Sequence, residues 1–336
     1  ALGWAVITMA LVIFTVDQLF WRPVVAWSNK FRLEQSSSAQ APQSWMYDLL
    51  RGSRLAHALE RVWTPAGDII GGTLAALTRV RPKRAAAARS AVSDAVFTAV
   101  LAIVVVVLVT ISLRFILTSV GMTEVGRVAW LGFLTLVRVF VLLVFTTIIW
   151  TPIGVAIGFN PKLARLLQPV ALFLASFPAN FIFPFATLAF LRFHIPINIG
   201  SVLLMALGAQ WYILFNSIAG AQSIPTDLRE MADDCDLTGW NRWRRLIIPG
   251  IFSSWVTGGI TASGGAWNAS IVSEVVTWGG STLTAAGLGA YIADATAKGD
   301  WPRITLGVGM MSLYVVGFNR IVWRRLYALA ERKYHL

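Results

Sequence analysis

Residues 228–249, LREMADDCDLTGWNRWRRLIIP, set a charged island between two long apolar segments. Leu228, Met231, Ala232 and Cys235 recur at i, i+3, i+4 and i+7, so a helix here carries them on one face. Asp227, Glu230 and Asp234 fall on another. Pro225 suits a first turn, and acids early in a helix complement its dipole. A short amphipathic helix held outside the bilayer by a membrane domain can receive force from a soluble partner. A surface linker helix is the plainer alternative.

Outward from the island the chain is strongly apolar: 57% of its 336 residues are hydrophobic and 13% charged, which excludes an ordinary soluble protein. A helix needs roughly 18–20 apolar residues to cross a bilayer. Seven windows qualify, over 2–20, 92–117, 128–159, 169–191, 197–221, 249–276 and 304–322. They are continuous runs rather than short alternating ones, so the fold class is all-α, a polytopic helical bundle and not a barrel.

The net charge is +12. Residues 22–89 carry eleven Lys/Arg against four acids, whereas 274–300 carry three acids and one Lys. Lys and Arg collect on the cytoplasmic side of membrane proteins. The basic excess therefore reads as topology, with membrane lipid as a partner and no nucleic acid. It puts the long linker, the 160–165 turn, the 228–249 island and the C-terminal tail inside the cell. Cys235 is the only cysteine, which excludes an internal disulfide, and on the apolar face it reads as a small hydrophobe. His57, His194 and His335 lie far apart, so no metal centre is expected.

The order of features in 228–249 resembles the EAA loop of ATP-binding-cassette (ABC) importer permeases. Glu230-Met231-Ala232 stands at the Glu-Ala-Ala site, Asp236 at the Gly, Leu246-Ile247-Ile248 at the apolar triplet and Pro249 at the closing Pro. Asp in place of Gly is the sharper departure, because Gly is favoured where a chain turns with positive φ. Gly239 offers a turn three residues on, with Thr238 or Asp236 capping the next helix.

Beyond the loop, the chain from Val92 onward resembles the nitrate/sulfonate/taurine and bicarbonate branch of these permeases. The likeness runs through Leu136-Val137-Arg138-Val139, 152–158 (PIGVAIG), the Pro178/Pro184 pair, Gly264-Gly265-Ala266-Trp267 and 287–291 (GLGAY). It implies a type I, methionine-importer-like fold of six helices, here preceded by one helix more. It also implies two permease units that open alternately, cytoplasmic ABC ATPase subunits gripping the EAA helix, and a periplasmic or lipid-anchored substrate-binding protein outside. The ATPase-coupling set is then Asp227, Leu228, Glu230, Met231, Ala232, Asp234, Cys235, Asp236, Gly239 and Pro249.

Residues 17–22 (DQLFWR) echo 319–324 (NRIVWR), and each copy closes an apolar run and leads into a basic tail. This suggests a longer polypeptide with two tandem permease halves. Residues 1–34 are then the last helix and tail of the upstream half, and 35–91 a cytoplasmic linker with a helix over 45–63. The permease domain occupies 92–336.

Five polar or aromatic residues within the apolar runs are candidates for the transport path: Arg138, Asn180, Gln210, Trp267 and Asn268. An intramembrane Arg faces a bundle interior or water, and otherwise pairs with carbonyls or snorkels to the interface. Amides amid small residues equally serve as glue between helices. Glu274 reads as the outer membrane boundary, and 278–299 as an outside helix-loop. No phosphate loop and no catalytic or cofactor-binding constellation occurs, so ATP hydrolysis belongs to a separate chain. A secondary transporter or channel working alone is the alternative. It would need ion-coupling carboxylates in the spans, which hold only Asp17, with Asp94 and Glu274 near ends.

Overall fold

The computed structural model describes residues 2–21, 23–24, 83–278 and 281–333. The helix expected over 45–63 lies outside the described residues. Two compact units, Ala1–Ile111 and Ser112–Leu336, are taken separately. The first holds α1 (Leu2–Val16), which continues as a π-helical turn over Asp17–Trp21, and most of α2 (Lys83–Ser119). Helix α2 starts nine residues before the expected domain boundary at 92.

The second unit is a helical bundle. Its first long helix, α3 (Met122–Phe159), stops because Pro161 disfavours a helical conformation at Asn160. The Asn160 side chain then accepts the Lys162 and Leu163 N–H groups at 3.0 and 3.2 Å and caps α4 (Pro161–Ser176).

The window 169–191 was expected to cross as one helix, and it does not. Before Pro178 the backbone at Phe177 is extended, which ends α4. A 3₁₀ turn over Ala179–Phe181 follows, and the chain re-enters helix as α5 (Phe183–Phe193), with Pro184 in its first turn. Among the described residues five helical segments are long and apolar enough to span: Ala95–Ser119, Met122–Phe159, Ile197–Ser223, Gly239–Ser273 and Trp301–Lys333. Ile7–Phe20 and Phe183–Phe193 are shorter.

Helix α6 (Ile197–Ser223) is the centre of the bundle, packed along α3 on one side and the helix Ile248–Ser273 on the other. Close approach is set by small residues. A Cβ on Gly154 would sit 2.6 Å from the Ser217 Cβ, and one on Gly158 2.7 Å from that of Ala221. Val139, Leu142, Met205, Ile213, Val256, Trp267 and Leu288 form the main core.

After α6 come α7 (Thr226–Asp234) and α8 (Gly239–Arg242), which runs through a π turn (Trp243–Ile247) into α9 (Ile248–Ser273). The all-α expectation holds for the bundle, which carries one small antiparallel hairpin among the described residues: β1 (Val275–Trp278) pairs with β2 (Ser281–Thr284), Val275 opposite Thr284. Then α10 (Leu288–Lys298), α11 (Trp301–Phe318), a π turn (Asn319–Trp323) and α12 (Arg324–Lys333) complete the described chain. The π turns at Asp17–Trp21 and Asn319–Trp323 fall on the two copies of the sequence repeat, in the same register.

Candidate functional site

Helix α7 occupies the charged island, and its two apolar contacts differ from the sequence expectation. Half-buried Leu228 packs on a cluster of Val155, Ala221, Ile224, Ile247 and Ile251, and Ala232 is buried. Met231 is 60% exposed and Cys235 is also exposed, so the cysteine is not a core hydrophobe. Only the i, i+4 pair Leu228/Ala232 faces the bundle, which leaves Met231 and Cys235 turned away. Trp240, absent from the sequence-based set, is 70% exposed in α8.

The turn after α7 resolves the Asp-for-Gly departure. Asp236 itself takes the left-handed conformation, φ +49°. Its neighbour Leu237 donates its N–H to the Ala232 carbonyl at 2.9 Å, closing the helix in the manner of a Schellman turn. The turn is therefore not displaced to Gly239, although Gly239 also has a positive φ of +53°. Thr238 precedes α8 without a side-chain cap.

Two arginines brace the loop. Arg229 donates to the Ala221 carbonyl at 2.6 Å and lies 4.4 Å over the Phe159 ring, and Arg242 pairs with Asp233. Asp227, Glu230 and Asp234 are exposed, and Pro249 opens α9. The result is a braced helix whose Glu230 and Asp234 carboxylates have no ion-pair partner among the described residues, with Met231 exposed on it and Trp240 exposed in the next short helix.

The five path candidates are not gathered at one place. Trp267 is buried and stacked on Tyr314, with ring centroids 6.3 Å apart. Asn180 is exposed in the break between α4 and α5. Gln210 is half-buried, two residues before Tyr212 and so on the opposite side of α6. Asn268 belongs to an exposed stripe of α9 with Thr257, Thr261 and Gly264, spaced i, i+4, i+7 and i+11. Tyr212, 41% exposed, and half-buried Asn216 adjoin that stripe from α6, where Gly265 and Gly258 approach them. Polar groups on an otherwise apolar surface are poorly matched to lipid.

Arg138 is buried elsewhere. Its Nη1 donates to Glu274 Oε1 at 2.8 Å, its Nη2 to Asn198 Oδ1 and the Ala286 carbonyl at 2.8 and 2.9 Å, and its Nε to the Asn198 carbonyl at 3.3 Å. Glu274, read from sequence as a boundary residue, ends α9 with its side chain wholly buried. These two are the only buried charged side chains among the described residues. A buried Arg calls for a carboxylate, but sequence alone gives no depth at which to match the two.

Residues 149–334 match the family described as binding-protein-dependent transport system inner membrane component. The chain is 26% identical over 170 residues to a nitrate import permease protein, NrtB, of Leptolyngbya laminosa. That stretch covers 51% of this chain and 57% of the relative. It is 27% identical over 179 residues to a bicarbonate transport system permease protein, CmpB, of Synechococcus elongatus, covering 53% and 61%. The chain thus spans about three-fifths of the length of these curated relatives. With five span-length apolar helices and a family match over more than half its residues, this multi-pass membrane chain belongs to the binding-protein-dependent transport system inner membrane component family.

Proposed function

We propose that the chain is the transmembrane permease subunit of an ABC importer, moving a small anion of the nitrate, sulfonate, taurine or bicarbonate class across the cytoplasmic membrane. The observation that carries this reading is α7, braced by Arg229 and Arg242 yet presenting Glu230, Asp234, Met231 and Trp240 outward. A cytoplasmic ATPase subunit holds that surface, so ATP-driven motion enters α6 and α9 through the two ends of the loop. A substrate-binding protein, periplasmic or lipid-anchored, docks at the opposite end, near the hairpin and α10. The α7 end and the C-terminus lie in the cytoplasm, as the charge distribution supports.

The path follows the stripe of Thr257, Thr261, Gly264 and Asn268 with Tyr212 and Asn216. It faces a second permease unit, either an upstream half or another copy. The equivalent π turns at Asp17–Trp21 and Asn319–Trp323 support an upstream half ending in the first described helix.

Replacing Glu230→Ala together with Met231→Asp, both exposed, is expected to abolish ATP-dependent uptake at normal membrane abundance. Unchanged uptake would remove the coupling role. The alternative, a stand-alone secondary transporter or channel, needs an ion-coupling carboxylate. Glu274 is the one buried carboxylate among the described residues, and three donors already bind it.

A further inference from the structure

Glu274 sits in a cradle built for a planar oxoanion. Its Oε1 accepts from Arg138 Nη1 at 2.8 Å and from the Thr135 hydroxyl at 2.8 Å. Its Oε2 accepts the Ala290 N–H at 3.0 Å, in the first turn of the eleven-residue α10. Thr135 is itself oriented, because its oxygen accepts the Leu288 N–H at 2.8 Å. A guanidinium, a hydroxyl and a helix N-terminus are each donors that favour negative charge, and here they converge on one carboxylate.

The backbone wraps the group closely. A Cβ on Gly287 would stand 2.2 Å from Oε2, and one on Gly289 2.3 Å from the Ser270 carbonyl oxygen. Removing the carboxylate therefore vacates a space shaped to it, with every donor still aimed inward. The wall is thin on one side: Asn198 and Ala286, which bind the far face of Arg138, are exposed. Asn198 Oδ1 also accepts the Ala286 N–H at 3.2 Å.

The cradle joins parts from four stretches of the chain. Arg138 and Thr135 belong to α3, Asn198 opens α6, Glu274 ends α9, and 285–290 links the hairpin to α10. Ala285 also donates its N–H to the Glu274 carbonyl at 2.8 Å.

We propose that Arg138, Thr135 and the N-terminal turn of α10 form a small-oxoanion site whose resident occupant is the tethered carboxylate of Glu274, and that this occupancy latches the hairpin and α10 to α3. Nitrate, formate and bicarbonate share the planar oxygen arrangement of that carboxylate, so they are the ligand class the cradle takes when Glu274 is absent. Chloride, with no oxygens to divide between the donors, is not. The site stands apart from the transport reading, because binding to the purified chain measures it whether or not uptake occurs.

The test uses the chain in detergent micelles carrying Glu274→Ala. Its melting midpoint is compared in sodium formate, sodium nitrate and sodium chloride at equal ionic strength. Glu274→Ser, which keeps a small polar group in the cradle, serves if the alanine variant does not fold. Either variant is expected to melt below the parent and to regain stability saturably with formate or nitrate but not chloride. Adding Arg138→Gln should weaken the half-saturating concentration about tenfold or more, the loss of one charge-assisted contact. Hydrogen exchange at 285–290 should rise in the variant and fall again with formate. A response equal in chloride, a response unchanged by Arg138→Gln, or exchange at 285–290 that ignores formate would overturn the proposal.

Discussion

Arg138 and Glu274 make the sharpest case at the scale of single residues. Removing one member of a buried ion pair leaves the other charge unpaired, at a cost of about 3–5 kcal/mol, whereas replacing both with apolar groups is often neutral. Arg138→Gln should therefore destabilise the folded chain far more than the double change Arg138→Met with Glu274→Met, as thermal unfolding in micelles would read. Equal losses would mean the pair contributes only packing. Asp236 offers a second contrast. A non-glycine residue in the left-handed region costs roughly 1 kcal/mol, so Asp236→Gly should raise stability slightly and leave the turn intact. A lower melting point would show that the aspartate side chain contributes something else. The sequence singled out Arg138 as a path candidate and Asp236 as a departure from the loop pattern, because each breaks a local rule. It missed Glu274, because an acid at a helix end looks the same whether it meets water or a guanidinium 136 positions away in the chain.

Among the elements, long apolar helices were legible and their interruptions were not. The helices α3, α6 and α9 follow from continuous apolar runs, and their contacts from small residues such as Gly154 and Gly158. Hydropathy is blind to backbone angles, so 169–191 read as one span although Pro178 and Pro184 divide it. Glycine substitutions separate packing from path. Gly158→Leu forces a side chain into α6, where overpacking of this kind costs about 1–3 kcal/mol or more, and should depress folded yield. A Cβ on Gly264 would meet nothing within 4 Å on the exposed stripe, so Gly264→Leu has room there. It should fold normally yet block uptake, and normal uptake would move the path off α9. At the opposite end, burial and then the Glu124 carboxylate push Tyr291 up to about 12. The unfolded chain ionises this tyrosine near its ordinary value of 10. Its contribution is thus fully present below about pH 10 and is lost as pH rises towards 12. Ultraviolet titration of tyrosinate, with and without Tyr291→Phe, checks that window.

For the molecule as a whole, the proposed coupling depends on which face of the membrane α7 occupies and what touches it there. The sequence argues for a cytoplasmic α7 through its Lys/Arg distribution. It also carried the family through the order of the 228–249 features, which survives the Asp236 substitution because the left-handed turn survives. What it could not carry was the split of the α7 face, since a period-3.6 pattern does not say which flank of an apolar stripe the bundle covers. That split supplies the probe. Cys235 is the chain's only cysteine, and it is exposed at the end of α7. A membrane-impermeant maleimide should label it in inside-out vesicles and spare it in intact cells. The most direct measurement is a short thiol-to-amine crosslink from native Cys235 in membranes that take up substrate with ATP. Capture of a nucleotide-binding ATPase subunit is expected, at a yield that changes between ATP-bound and nucleotide-free states. Cys235 that labels fully yet captures no ATPase in a transporting membrane would contradict the proposed coupling.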